Sequence, residues 1–96
     1  ELGVGEDCII DPGGGGPRIW FQIVPEAKTI KNRFHLDVHA SGGREVPLAT
    51  RKERVNGEAQ RLAGLGATIV RELDDPSLDH YGMAMKDPEG NEFDIN

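Results

Sequence analysis

The stretch Arg33 to Ala40, "RFHLDVHA", decides which fold the sequence predicts. Alternate side chains of a β-strand point to opposite faces of the sheet. The stretch therefore predicts one apolar and one polar face, and the polar face carries ionisable groups opposite a core. The polar residues are Arg33, His35, Asp37 and His39, and the apolar ones are Phe34, Leu36, Val38 and Ala40. Such a polar row predicts either a solvated sheet surface or the wall of a pocket.

The sequence after this strand alternates between signals for loop, helix and strand. A capping box, Thr50 with Glu53 three residues on, predicts the start of a helix that ends near residues 64–66, where glycines stop it. Apolar and β-branched runs then predict three strands, with "DPEG" as the turn between the last two. The predicted order is strand, helix, strand, strand, strand.

The N-terminal third repeats part of this order. The turn "DPGGGG" followed by the strand "RIWFQIV" resembles "DPEG" followed by "NEFDIN". Within a single domain, residues 1–30 therefore predict a partial first module and residues 31–96 a complete second one. The glycine run does not indicate a phosphate cradle, because a proline and a strand follow it where such a cradle needs a helix N-terminus.

The composition of the chain argues against nucleic acids and membranes as partners. The net charge of −6, from 17 acidic and 11 basic residues, repels phosphate backbones and anionic lipids, so neither nucleic acid nor a membrane surface is predicted. No apolar run approaches the roughly 20 residues of a membrane span. The single cysteine, Cys8, has no partner for an internal disulfide, so a reducing cytoplasm is the expected location.

Packing of the helix on one side of the sheet would divide the strand residues into two sets. The expected apolar face carries Ile19, Phe21, Ile23, Phe34, Leu36, Val38, Phe93 and Ile95, and the opposite face carries Trp20, Gln22, His35, Asp37, His39, Asp94 and Asn96. Imidazole, carboxylate and amide groups are ligand types that suit Zn, Ni, Fe or Mn. No two of them have the spacing of a metal motif, so the residues alone leave a solvated surface and a metal site both open.

Three segments taken together, "NRFHLDVHA", "EAQRLAGLGA" and "DPEGNEFDI", resemble the vicinal oxygen chelate superfamily and, within it, small glyoxalase-like proteins related to bleomycin-resistance proteins. The resemblance implies an α+β fold of paired βαβββ modules in a curled mixed sheet around a cup, the first module being incomplete here. It also implies metal ligands on the first and last strands of each module. His35 and Asp94 stand at these two places in the second module, and Gln22, or else Trp20, at the last-strand place of the first.

The first function that the resemblance implies is a glyoxalase-like enzyme of unassigned reaction, a metal-dependent lyase, isomerase or dioxygenase. One divalent ion (Zn, Ni, Fe or Mn) would be held by His35 and Asp94. Asp37 or His39 would be the catalytic base. The short first module further implies a homodimer in which a second copy closes the cup.

The alternative function is a metal-free protein that sequesters a small aromatic or polycyclic molecule, as the bleomycin-resistance relatives suggest. Trp20 and Tyr81 would supply stacking surface, and Gln22 an orienting amide. A metal content near zero would favour this alternative over the enzyme.

Overall fold

The structure is a computed structural model that describes residues 8–21 and 23–96. Its elements in chain order are β1 (Cys8–Ile9), β2 (Ile19–Trp20), β3 (Leu36–Val38), α1 (Leu48–Gly64), β4 (Thr68–Asp75), a 3-10 turn (Pro76–Leu78), β5 (His80–Lys86) and β6 (Glu92–Ile95). From β3 onward this is the predicted order of strand, helix, strand, strand, strand. The α+β fold class is confirmed.

The larger sheet is open and mixed. Its strand order is β3-β6-β5-β4, with β3 parallel to β6 and the other neighbours antiparallel. Strands β1 and β2 form a separate antiparallel pair. The topology places the first and last strands of the unit side by side, so that Asp37 is in register with Asp94. Polar residues far apart in sequence thus share one edge of the sheet.

The core lies between α1 and one face of the larger sheet. Val55 and Ala59, four residues apart and therefore on one helix face, are both fully buried. Period-two alternation puts three side chains of β5 against them. The buried cluster consists of Val55, Ala59, Tyr81, Met83, Met85 and Ile95. The sheet face opposite α1 is left for the polar residues.

The predicted apolar face is only partly buried. Val38, Phe93 and Ile95 pack in or against the core, as predicted. Phe34 and Leu36, however, are 86% and 61% exposed. Three further residues predicted to face the helix are not buried either: Ile19, Phe21 and Ile23. The prediction for these residues is wrong, because α1 packs on β4, β5 and β6 and does not reach over β3 or the segment before it.

Helix α1 begins before the position that the capping box indicates. Its N-cap is Pro47, with no side-chain hydrogen bond, so Thr50 lies in the first turn and the capping-box prediction is wrong. Proline suits a helix start, because the first N–H groups of a helix have no intrahelical acceptor. The end at Gly64 agrees with the prediction. Within the described residues, no helix is both long and apolar enough to cross a membrane.

Candidate functional site

His35 and Asp94 come together where β3 runs beside β6. His35 immediately precedes β3, and its Nδ1 lies 3.9 Å from Oδ2 of Asp94 in β6. Their side chains are 42% and 26% exposed, so both groups reach solvent. The separation is too long for a hydrogen bond. Both groups therefore remain available to a third atom, whether of a metal ion or of a bound molecule.

A cavity of about 190 Å³ opens beside this pair. Its polar lining is Lys31, His35, Arg71, Lys86, Glu92 and Asp94, and its apolar lining includes Val70, Leu73 and Ala84. Lys31 Nζ donates to both carboxylate oxygens of Glu92, at 2.8 and 3.0 Å, and this contact holds the pKa of Glu92 below its usual value. The cavity is smaller than the roughly 300 Å³ at which ordinary ligand pockets begin. It is thus one wall of a binding site and too small to enclose a ligand by itself.

The cations of this cavity were missed by the sequence reasoning. Lys86 lies on the face of β5 opposite Met83 and Met85, so period-two alternation along that strand could have found it. Arg71 follows an irregularity in the pairing of β4 with β5, between Ile69 and Arg71. Such a bulge resets the alternation along a strand. No local pattern in the sequence signals it.

The two candidate bases lie in different places. Asp37 is exposed and in register with Asp94, beside His35. His39 lies past the end of β3, where its Nδ1 is 2.9 Å from Oδ1 of Asn96, and it lines a different cavity. The structure thus groups Asp37 with the two candidate metal ligands and separates His39 from them.

Two of the three predicted ligand-binding residues, Trp20 and Tyr81, lie in different surroundings. Trp20 is 53% exposed, and the guanidinium carbon of Arg18 lies 5.6 Å from its ring centroid. Tyr81 is buried in the core and donates its hydroxyl hydrogen to Oδ1 of Asn56, 2.7 Å away. Burial raises the pKa of Tyr81. Gln22 lies outside the described residues.

The strand registers of the two hairpins show that Trp20 corresponds in position to Asp94. Cys8 pairs with Trp20 in the β1–β2 hairpin, and Ala84 pairs with Asp94 in the β5–β6 hairpin. Cys8 and Ala84 each stand three residues before the Asp-Pro of the turn. Trp20 therefore occupies the hairpin position that Asp94 occupies in the other hairpin. Where one hairpin presents a carboxylate, the other presents an indole, which offers a stacking surface and no metal ligand.

The chemistry of His35 and Asp94 fits part of a metal site. A neutral imidazole and a carboxylate are common ligands of divalent transition metals, but a protein site for zinc takes three or four of them. Among residues 8–21 and 23–96, no three His, Cys, Asp or Glu side chains converge to hold an ion. The pair supplies two ligands, and the described residues do not complete the set.

The glycine run of the first turn holds a carboxylate of its own chain. Asp11 accepts hydrogen bonds from the backbone N–H groups of Gly13, Gly15 and Gly16, at 2.9, 3.1 and 2.7 Å. These bonds lower the pKa of Asp11. Because Asp11 already occupies these donors, they do not form an open cradle for a phosphate.

Comparison with known proteins assigns the chain to a family. A family model described as glyoxalase-like domain matches residues 3–96. Neither the curated proteins nor the solved structures that were compared with the chain gave a match. The match and the mixed sheet agree with the resemblance to the vicinal oxygen chelate superfamily. The chain belongs to the glyoxalase-like domain family.

Proposed function

We propose that the chain is a glyoxalase-like enzyme that acts on a small molecule bound over His35 and Asp94. The observation that carries the proposal is the approach of this imidazole and carboxylate to 3.9 Å from neighbouring strands, on the wall of a cavity. Fold alone does not determine a reaction, so the proposal rests on these groups.

His35 and Asp94 would hold one divalent ion of Zn, Ni, Fe or Mn. When bound, such an ion supplies Lewis acidity for an oxygen of the substrate. Asp37, in register with Asp94, accepts a proton from the bound molecule. Arg71 and Lys86 favour a substrate that carries carbonyl or anionic oxygens. These groups suit a reaction that moves a proton at a carbon next to a carbonyl group, as in a lyase or isomerase.

The rest of the cup comes from a second copy of the chain. Residues 1–30 act as a partial first module and residues 31–96 as a complete second one. The small cavity and the exposed apolar side chains of Trp20, Phe34 and Leu36 support a homodimer that encloses the ligand. Cys8 is a buried free thiol, which suits a protein of the reducing cytoplasm.

The metal content of protein purified without chelator tests the proposal. About one transition-metal ion per chain or per dimer is expected, because ligands at these distances bind metal tightly once the set is complete. His35→Ala and Asp94→Ala should each lose the ion. His39→Ala is the matched control, since it removes a histidine from the same stretch of chain without touching the pair, and it should keep the ion. Metal-free protein with its circular dichroism intact, or equal loss in the control, would contradict the proposal.

A further inference from the structure

We propose that a second cavity, past the ends of β3 and β6, binds the anionic group of a small molecule, a carboxylate or a phosphate. It has a volume of about 500 Å³ and contains neither His35 nor Asp94. This volume is within the roughly 300–1,000 Å³ range of small-molecule sites. The inference goes beyond the proposed enzyme function and does not depend on it.

Two imidazoles and an amide form one side of this cavity. Nδ1 of His39 and Oδ1 of Asn96 are 2.9 Å apart, which fixes the orientation of both groups. Nε2 of His80 and Cβ of Asn96 approach the same backbone position, Gly82: a Cβ atom placed there would lie 3.5 and 3.6 Å from them. It would also lie 2.9 Å from the carbonyl oxygen of Ile95. A side chain at this position would collide with the Ile95 carbonyl oxygen, so Gly82 lets the backbones of β5 and β6 lie close together beside His80 and Asn96.

A buried arginine forms the opposite side. Arg51 is only 6% exposed, although it is charged. Its guanidinium donates to the carbonyl oxygens of Val46 and Asp79 and to Oδ1 of Asp79, at 2.7 to 2.8 Å. An arginine side chain has five N–H donors, so one on each terminal nitrogen is not used by these bonds. Guanidinium N–H groups form strong, charge-assisted hydrogen bonds with carboxylate and phosphate oxygens.

The charge balance of the cavity favours an anion. Its lining side chains include two guanidinium groups, of Arg44 and Arg51, but a single carboxylate, that of Asp79, which Arg51 already engages. Arg44 donates to the carbonyl oxygen of Leu78, a neutral acceptor, and no carboxylate within residues 8–21 and 23–96 forms an ion pair with it. In a chain of net charge −6, this local excess of positive charge attracts an anion. Gly42 and Gly43 also line the cavity, so their amide signals can report an ion bound there.

Titration of the protein with inorganic phosphate and, separately, with sodium acetate tests the proposal. Amide NMR signals of Gly42 and Gly43 report binding, at ionic strength held constant with sodium chloride. Arg44→Gln removes the exposed cation and should weaken binding about tenfold, as expected for loss of one charge-assisted hydrogen bond. Arg61→Gln is the matched control, because it removes an exposed arginine of α1 that does not line this cavity, and it should leave the affinity unchanged.

Saturable shifts at Gly42 and Gly43 that weaken in Arg44→Gln and persist in Arg61→Gln would support the site. Saturation by phosphate alone would identify a phosphoryl group, and saturation by acetate a carboxylate. The proposal is overturned by shifts that never saturate with either ion, or by equal affinities in the wild type and Arg44→Gln. Because the readout is independent of metal content, its failure is distinguishable from failure of the proposed enzyme function.

Discussion

The hairpins β1–β2 and β5–β6 share a turn and differ in what covers them. In each, the aspartate of an Asp-Pro pair, Asp11 or Asp87, accepts hydrogen bonds from the backbone N–H groups two and four residues on. One residue after the matched positions of Trp20 and Asp94, Phe21 is 57% exposed and Ile95 is 0% exposed. Helix α1 covers only the second hairpin. The local sequence thus specifies the turn, whereas burial depends on an element 30 residues or more away in the chain.

The largest expected effect is a difference between the two hairpins in how much an apolar substitution lowers the free energy of unfolding. Ile95→Ala should lower the free energy of unfolding by about 2–5 kcal/mol, because it leaves a cavity in a core with no solvent access. Phe21→Ala, the matched change in the uncovered hairpin, should change it by no more than about 0.5 kcal/mol. Urea unfolding at low protein concentration measures both values.

Equal losses of unfolding free energy in the two variants at low concentration would show that Phe21 is buried within one chain. That outcome would contradict the structure. A loss in Phe21→Ala that appears only as the protein concentration rises would show that a second copy covers this side. The concentration series therefore also tests the homodimer.

The second prediction concerns the turns themselves. Asp87→Ala removes the acceptor for the N–H groups of Glu89 and Asn91 and for the side-chain amide of Asn91. It should lower the free energy of unfolding by about 1–2 kcal/mol, since this turn joins two strands of the packed sheet. Asp11→Ala should leave global unfolding unchanged and instead speed amide hydrogen exchange at Gly13 and Gly16. Equal effects on global unfolding would show that both hairpins belong to one cooperative unit.

Features that depend on neighbours in sequence could be predicted. The stretch "HYGMAMK" is predicted as a strand, and β5 spans it from end to end because its alternation and its flanking turns agree. The placement of His35 and Asp94 on one face follows from period-two alternation in two separate strands. Their approach to 3.9 Å depends on one more fact, the parallel pairing of β3 with β6, which no local pattern in the sequence indicates.

Features that depend on tertiary packing could not be predicted. Phe34 belongs to the same alternating stretch as Val38, yet Val38 packs against the buried core and Phe34 is 86% exposed. No local pattern in the sequence indicates how much of the sheet α1 covers. The second cavity could not be predicted for the same reason, because its lining residues His39, His80 and Asn96 come from separate segments of the chain.

The smallest expected effect concerns the linker between the uncovered hairpin and the packed sheet. Lys31 lies in this linker, and its hydrogen bond is the main cause that holds the pKa of Glu92 below its ordinary value of 4.5. Lys31→Gln should therefore raise the pKa of Glu92 towards 4.5, as measured by NMR titration of its carboxyl carbon. Glu58, whose pKa is lowered by Arg61, is the internal control and should not change.

The sign of the pH dependence follows from the direction of this shift. Because the pKa of Glu92 is lower in the folded protein, its contribution to stability is present above its ordinary value of 4.5 and is lost as the pH falls through the folded-state pKa. The pair is exposed, so solvent screens it and global stability should hardly respond. A pKa of Glu92 that stays the same in Lys31→Gln would mean that the linker does not dock on β6 in solution. The first hairpin would then be tethered to the sheet only through the chain, and its position beside the cup would have to come from contact with a second copy.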